Sequence, residues 1–115
     1  MRYRRGDVVL VLFPHSDLLH VKRRPALVVQ ADDLDTGLDQ LIIAMITTNL
    51  KRADHPSRYL IRLDTPEGKA SGLLSDSVVM TDNLTTVFTQ AIVTRLGHLP
   101  NMQPVNEALR VTLGL

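Results

Sequence analysis

A basic triplet, Lys22-Arg23-Arg24, runs directly into Pro25 and then into the apolar, β-rich segment Ala26-Leu27-Val28-Val29-Gln30. A guanidinium offers a planar fork of donors that suits a phosphate, and a strand holds such a group in place better than a free loop does. Proline is tolerated at the first residue of a strand, where its missing N–H costs nothing, and it biases Arg24 towards extended backbone. The pattern predicts Arg24 at a strand entrance. A solvated basic turn that merely opens a strand fits the same residues, because charged surface groups are common.

Two further polar clusters bear on the same chemistry. The run Leu41-Ile42-Ile43-Ala44-Met45-Ile46 ends abruptly in Thr47-Thr48-Asn49, a buried strand closing in hydroxyls. Behind it Lys51, Arg52 and Arg58 extend a cationic track, each phosphate contact adding a salt-sensitive increment of affinity; a solvated loop is the plain alternative. Histidine is the side chain that moves protons near neutral pH. His15 and His20 precede the triplet and are candidates if their segment folds over the site, whereas His55 and His98 read as surface histidines. No histidine pair has helical ligand spacing and no carboxylate cluster accompanies them, so neither a metal site nor a cofactor is expected.

The elements that must position these residues are mostly strands. Val8 to Phe13 is β-branched and apolar in the manner of a buried strand, and Pro14 breaks it. A connection from His15 to Arg24 leads to a second strand, Ala26 to Gln30, and an acidic segment, 31–39, leads to the third, Gln40 to Thr47. The alternation of Tyr59, Ile61 and Leu63 marks a half-exposed strand over 58–63, Pro66 to Gly72 supplies a turn, and Ser77 to Leu84 is another strand that Thr85 to Val87 continue or bend. Ala91 to Leu99 suits a strand or a short helix. Met102, Val105, Leu109 and Leu113 lie at spacings of three and four, which predicts an amphipathic terminal helix with Asn101 as N-cap and Pro104 in the first turn. Five to seven short strands and one helix, without internal repeat, point to a mainly β (α+β) small barrel with the helix packed over one side.

Composition narrows the function. At 115 residues the chain is expected to be one domain, 1–115, able to bury a core without disulfides. Having no cysteine, it has neither thiolate catalysis nor thiolate metal sites, and a reduced, cytoplasmic setting is expected. The first apolar run is too short for a signal peptide or a membrane span. A net charge of +1 with thirteen Lys and Arg means that any nucleic-acid contact comes from local clustering. Two Phe, two Tyr and no Trp leave little for base-stacking platforms.

Taken in order, Arg5-Gly6-Asp7-Val8-Val9, Phe13-Pro14, Arg24-Pro25-Ala26-Leu27-Val28-Val29, Ala44-Met45-Ile46-Thr47 and Asp76-Ser77-Val78-Val79 resemble the MazF/PemK toxins of type II toxin–antitoxin systems. The resemblance is collinear and covers essentially the whole chain. It implies an SH3-like small β-barrel with a C-terminal helix, usually a homodimer. The implied activity is metal-independent, sequence-specific cleavage of single-stranded RNA through the 2′-hydroxyl, leaving a 2′,3′-cyclic phosphate and a 5′-hydroxyl, and restrained by an antitoxin. Arg24 and Thr47 match the catalytic arginine and threonine. Arginine is a poor general base, with a pKa above about 12, so its expected role is electrostatic. Lys22, Arg23, His20, Thr48, Lys51, Arg52 and Asn83 are the candidate substrate contacts, Asn83 standing where some members carry glutamine. The chain departs from the family pattern at Leu18-Leu19-His20-Val21-Lys22-Arg23, where many members have a Ser-Glu-Gln-Gly-Gly type segment. Two other readings stay open: a CcdB-like gyrase poison that acts by binding protein, and a catalytically inactive module that binds its antitoxin. Fold analogy alone does not separate them.

Overall fold

Each apolar run becomes a strand of one antiparallel sheet. The computed structural model describes residues 2–14 and 21–115. Its strands are β1 (Asp7–Pro14), β2 (Val21–Val28), β3 (Gln40–Thr47), β4 (Arg58–Ile61), β5 (Ser77–Phe88) and β6 (Ile92–His98), in the spatial order β4-β5-β3-β2-β1-β6. Helix α1 (Pro66–Ser71) follows β4, a 3-10 turn (Thr89–Ala91) joins β5 to β6, and α2 (Gln103–Leu113) ends the chain. This is the mainly β architecture with a C-terminal helix that the sequence implies; β4 and β6 terminate the sheet without pairing to each other among the described residues. No helix among them is long and apolar enough to cross a membrane.

Because side chains alternate along a strand, the sheet has two apolar faces. Val8, Leu27, Ala44, Ile46, Ile61 and Val79 pack with Leu99 and with Val105 of α2. The opposite face carries Val9, Val11, Ala26, Val28, Ile43 and Met45, with Met80 and Phe13 against them. Helix α2 therefore covers one face and leaves the second for the polar residues discussed below. Arg5 fastens the helix to the sheet: its Nε donates to the Val29 carbonyl at 2.9 Å and its Nη2 to Asn106 Oδ1 at 2.7 Å.

Asp7 locks β1 to β6 from a fully buried position. Its carboxylate accepts from the Arg4 amide at 2.8 Å, from His98 Nδ1 at 2.8 Å and from Arg95 Nη1 at 3.4 Å. Burial pushes this carboxyl up, but the hydrogen bonds from Arg4 and His98, with the charge and hydrogen bond of Arg95, outweigh it and hold it below the usual aspartate value.

Three expectations need correction. Pro66 to Gly72 is a helix and not a plain turn: Thr65 Oγ1 caps it by accepting from the Gly68 amide at 3.1 Å, Pro66 occupies the first turn, and Gly72 closes it at φ 72. The terminal helix begins at Gln103 with Met102 in the capping position. Asn101 still serves this end, its Oδ1 accepting from the Gln103 amide at 3.0 Å, but from one residue further out. Finally, β2 starts at Val21, so Arg24 lies inside the strand and not at its entrance. Pro25 fits there because this half of β2 is recorded pairing only with β1, opposite Leu10, while the ladder to β3 begins at Ala26.

Candidate functional site

The basic triplet lies on β2 and the hydroxyl cluster at the end of β3, two neighbouring strands of the sheet. Strands β2 and β3 pair Ala26 with Met45, Leu27 with Ala44 and Val28 with Ile43. Continuing that register by two residues sets Arg24 opposite Thr47. The recorded pairing stops beside Pro25, whose ring nitrogen donates nothing. Both residues share the parity of Ala26 and Met45 and so belong to the face that α2 does not cover. Arg24 is exposed and Thr47 half-buried, so the guanidinium reaches solvent while the hydroxyl is fixed at the sheet rim.

The loop after β3 is a series of tight turns. Thr47 Oγ1 accepts from the Asn49 amide at 3.1 Å, and Asn49 Oδ1 accepts from the Lys51 amide at 3.1 Å. The amides of Ala53, His55 and Arg58 then donate to the carbonyls of Leu50, Arg52 and His55. These bonds fold the cationic track back onto the sheet. Thr47, Asn49, Lys51, Arg52, Arg58 and Met80 line one cavity of about 200 Å³.

Arg58 enters this cavity through an irregularity in β5. Ala44 pairs with Leu84, but the next residue, Met45, pairs with Met80, so Thr81, Asp82 and Asn83 bulge from the β3 ladder. Bulges re-aim side chains beside functional sites. Here Asp82 meets Arg58, which lies opposite Met80 at the start of β4. Arg58 Nη2 donates to Asp82 Oδ2 at 3.1 Å, and Nε lies 2.8 Å from Oδ1 without an aligned hydrogen bond. Thr81 anchors the bulge: its Oγ1 donates to the Ser57 carbonyl at 2.6 Å and lies 2.8 Å from Thr112 Oγ1 of α2.

The structure thus groups Thr47, Lys51, Arg52 and Arg58 around one cavity, and Arg24 shares the sheet face of Thr47. Lys22 shares the parity of Arg24, whereas alternation turns Arg23 to the other face. Thr48 is exposed at the start of the loop, and Asn83 is exposed in the bulge. His15 and His20 lie outside the described residues. His55 Nδ1 accepts from the Ser57 amide at 3.1 Å, and His98 serves Asp7. The Arg58–Asp82 pair is almost silent in the sequence. Its only trace in the sequence is the acid-amide interruption Asp82-Asn83 after Val78-Val79-Met80, since a bulge depends on the partner strand.

Chemically, a hydroxyl oriented by the Asn49 amide beside a cationic cavity, with the Arg24 guanidinium on the same face, suits an anion with several acceptor oxygens. A second cavity, of about 650 Å³, lies at the opposite end of the sheet, where Asp32, Asp35 and Asp39 give it the opposite sign.

Comparison with known proteins bears on the family and the fold. The family described as PemK-like, MazF-like toxin of type II toxin-antitoxin system matches residues 4–113. Endoribonuclease EndoA of Bacillus subtilis (strain 168) is 30% identical over 118 residues, covering 100% of this chain and 97% of that protein. An endoribonuclease from a mycobacterial species, solved in complex with its cognate antitoxin, superposes with a TM-score of 0.74 at 23% identity, over 99% of this chain and 97% of the other. The Mycobacterium tuberculosis toxin MazF-mt6 gives a TM-score of 0.73 at 22% identity, over 95% and 97% respectively. The two structures are similar in fold.

Proposed function

The chain belongs to the PemK-like, MazF-like toxins of type II toxin–antitoxin systems, and from that premise we propose that it is a metal-independent endoribonuclease that cleaves single-stranded RNA at preferred sequences. The observation that supports this reading is the β2–β3 register of Ala26 with Met45, which, continued by two residues, would carry Arg24 to the position opposite Thr47 on one face. The 2′-oxygen of the substrate gives up its proton and attacks the adjacent phosphorus, the P–O5′ bond breaks, and the departing 5′-oxygen takes a proton. The products are a 2′,3′-cyclic phosphate and a 5′-hydroxyl.

Negative charge on the phosphoryl oxygens grows along this path. Arg24 opposes it with charge-assisted hydrogen bonds, which are about twice as strong as neutral ones. Thr47 adds a neutral donor from a hydroxyl already oriented by the Asn49 amide. Lys22, Thr48, Lys51, Arg52 and Asn83 contact the strand on either side, and mRNA as substrate places the activity in the cytoplasm. An antitoxin restrains the enzyme, as the antitoxin-bound mycobacterial relative suggests, by laying an acidic segment that orders on binding over the same cationic face. The protein acts as a homodimer.

The test is incubation of the purified protein with mixed-sequence single-stranded RNA in EDTA, followed by analysis of product ends. Cleavage that survives EDTA, needs Arg24 and leaves 5′-hydroxyl ends supports the reading. Failure of the folded protein to cut any sequence would favour a protein-directed or inactive binding role.

A further inference from the structure

Arg58 is a cation of the Thr47 cavity that a carboxylate holds in place. Its side chain is 16% exposed, against 42% for Asp82. Asp82 engages the Nε–Nη2 edge, which leaves Nη1 without a partner among the described residues. Lys51 and Arg52 are exposed on the same cavity. One carboxylate against three cations leaves a net positive cavity. Its volume, about 200 Å³, is that of roughly seven waters of liquid, enough to admit one phosphate group. Arg24 is not among its lining residues.

We propose that Arg58, positioned by Asp82, forms with Lys51 and Arg52 a second phosphate site, which takes the RNA phosphodiester neighbouring the one that is cleaved. This rests on the RNA-cleaving reading above. Thr47 links the two sites: it lines the Arg58 cavity, and the β2–β3 register, continued two residues past Ala26 and Met45, would bring it opposite Arg24. A strand whose scissile phosphate sits between Arg24 and Thr47 therefore leads its next phosphate into the cavity. The function of Asp82 is orientation. It surrenders attraction for RNA in exchange for a guanidinium held still, its Nη1 edge open to an anion. Bidentate, preorganised guanidinium contacts are where arginine exceeds lysine.

The experiment measures binding of a single-stranded oligonucleotide whose cleavage-site 2′-hydroxyl is replaced by hydrogen, over a salt titration, beside cleavage of the all-ribose form. Arg58→Gln is expected to weaken binding roughly tenfold and to reduce the slope of log K against log salt by about 0.7, the value of one single-strand phosphate contact. Asp82→Asn removes a negative charge, so electrostatics alone would tighten RNA binding. The positioning role predicts weaker binding instead. A third arm leaves the protein intact: single uncharged methylphosphonate linkages are placed along the oligonucleotide. One linkage beside the scissile one should weaken binding to the wild type and add nothing in Arg58→Gln. Unchanged affinity in Arg58→Gln, tighter binding in Asp82→Asn, or no sensitive neighbouring linkage overturns the second site while cleavage by the wild type still stands. A wild type that neither binds nor cuts RNA overturns both.

Discussion

Arg24 of β2 and Thr47 of β3 stand opposite each other when the register of the two strands is continued past Ala26 and Met45, on the sheet face that α2 leaves uncovered. Neither residue is in the core, yet each is one or two positions from fully or nearly fully buried neighbours such as Ala26 and Ile46. The buried ladder thus stops just short of two polar groups that extend from neighbouring strands on one face. This is how an aliphatic strand sequence positions chemistry.

Arg24→Lys should lower the cleavage rate by about 10²- to 10³-fold, the cost of one lost preorganised donor. The charge survives this change but the fork does not. Single-turnover kinetics at saturating RNA separates this from weaker binding, and thermal melting should be unchanged because the side chain is exposed.

Asp7 predicts a pH dependence of stability. Its folded pKa is lowered relative to the unfolded chain, so its contribution is fully present above the unfolded value of about 4 and is lost as pH falls through the folded value. Asp7→Asn should lower stability at pH 7 and flatten the acid limb of the denaturation curve. Urea unfolding between pH 2 and 7 checks both.

Gly97→Ala should destabilise the fold by about 1–3 kcal/mol through overpacking. A Cβ at this position would collide with the Ala70 carbonyl oxygen and Ser71 backbone at the end of α1. The chain there makes backbone-to-backbone contact, which cannot yield as a flexible side chain would. Chemical denaturation of the purified variant measures the loss.

Thr65→Ala should cost about 0.5–2 kcal/mol, the range for a lost N-cap. Its Oγ1 accepts from the Gly68 amide and donates to the Arg62 carbonyl at 2.6 Å. Because α1 lies away from the Arg24–Thr47 face, RNA cleavage by the folded fraction should be unaffected. Comparison of the melting temperature with specific activity below it tests both halves.

Long apolar runs carried the fold in the sequence. Gln40 to Thr47 coincides with β3, and the two-residue alternation of Tyr59 and Ile61 locates β4, because burial on a pleated sheet imposes those patterns directly. What depends on a partner strand was less legible. Arg24 reads as a strand entrance from Pro25 alone, but β1 extends the strand back to Val21 by pairing with it. The meeting of Arg58 with Asp82 follows from three bulged residues in β5, which no local periodicity encodes. Helix α1 did have signals, Thr65-Pro66 at its start and Gly72 at its end, but at six residues it is too short for a hydrophobic period to show.

The most direct test of the central claim is a double-mutant cycle on RNA cleavage with Arg24→Ala and Thr47→Val, measured as single-turnover rates in EDTA. If the two side chains act on one phosphate, the double variant is cut little further below the slower single variant, because groups that work as a unit are non-additive. Rate losses that multiply independently, or wild-type cleavage that neither substitution slows, would contradict a shared site.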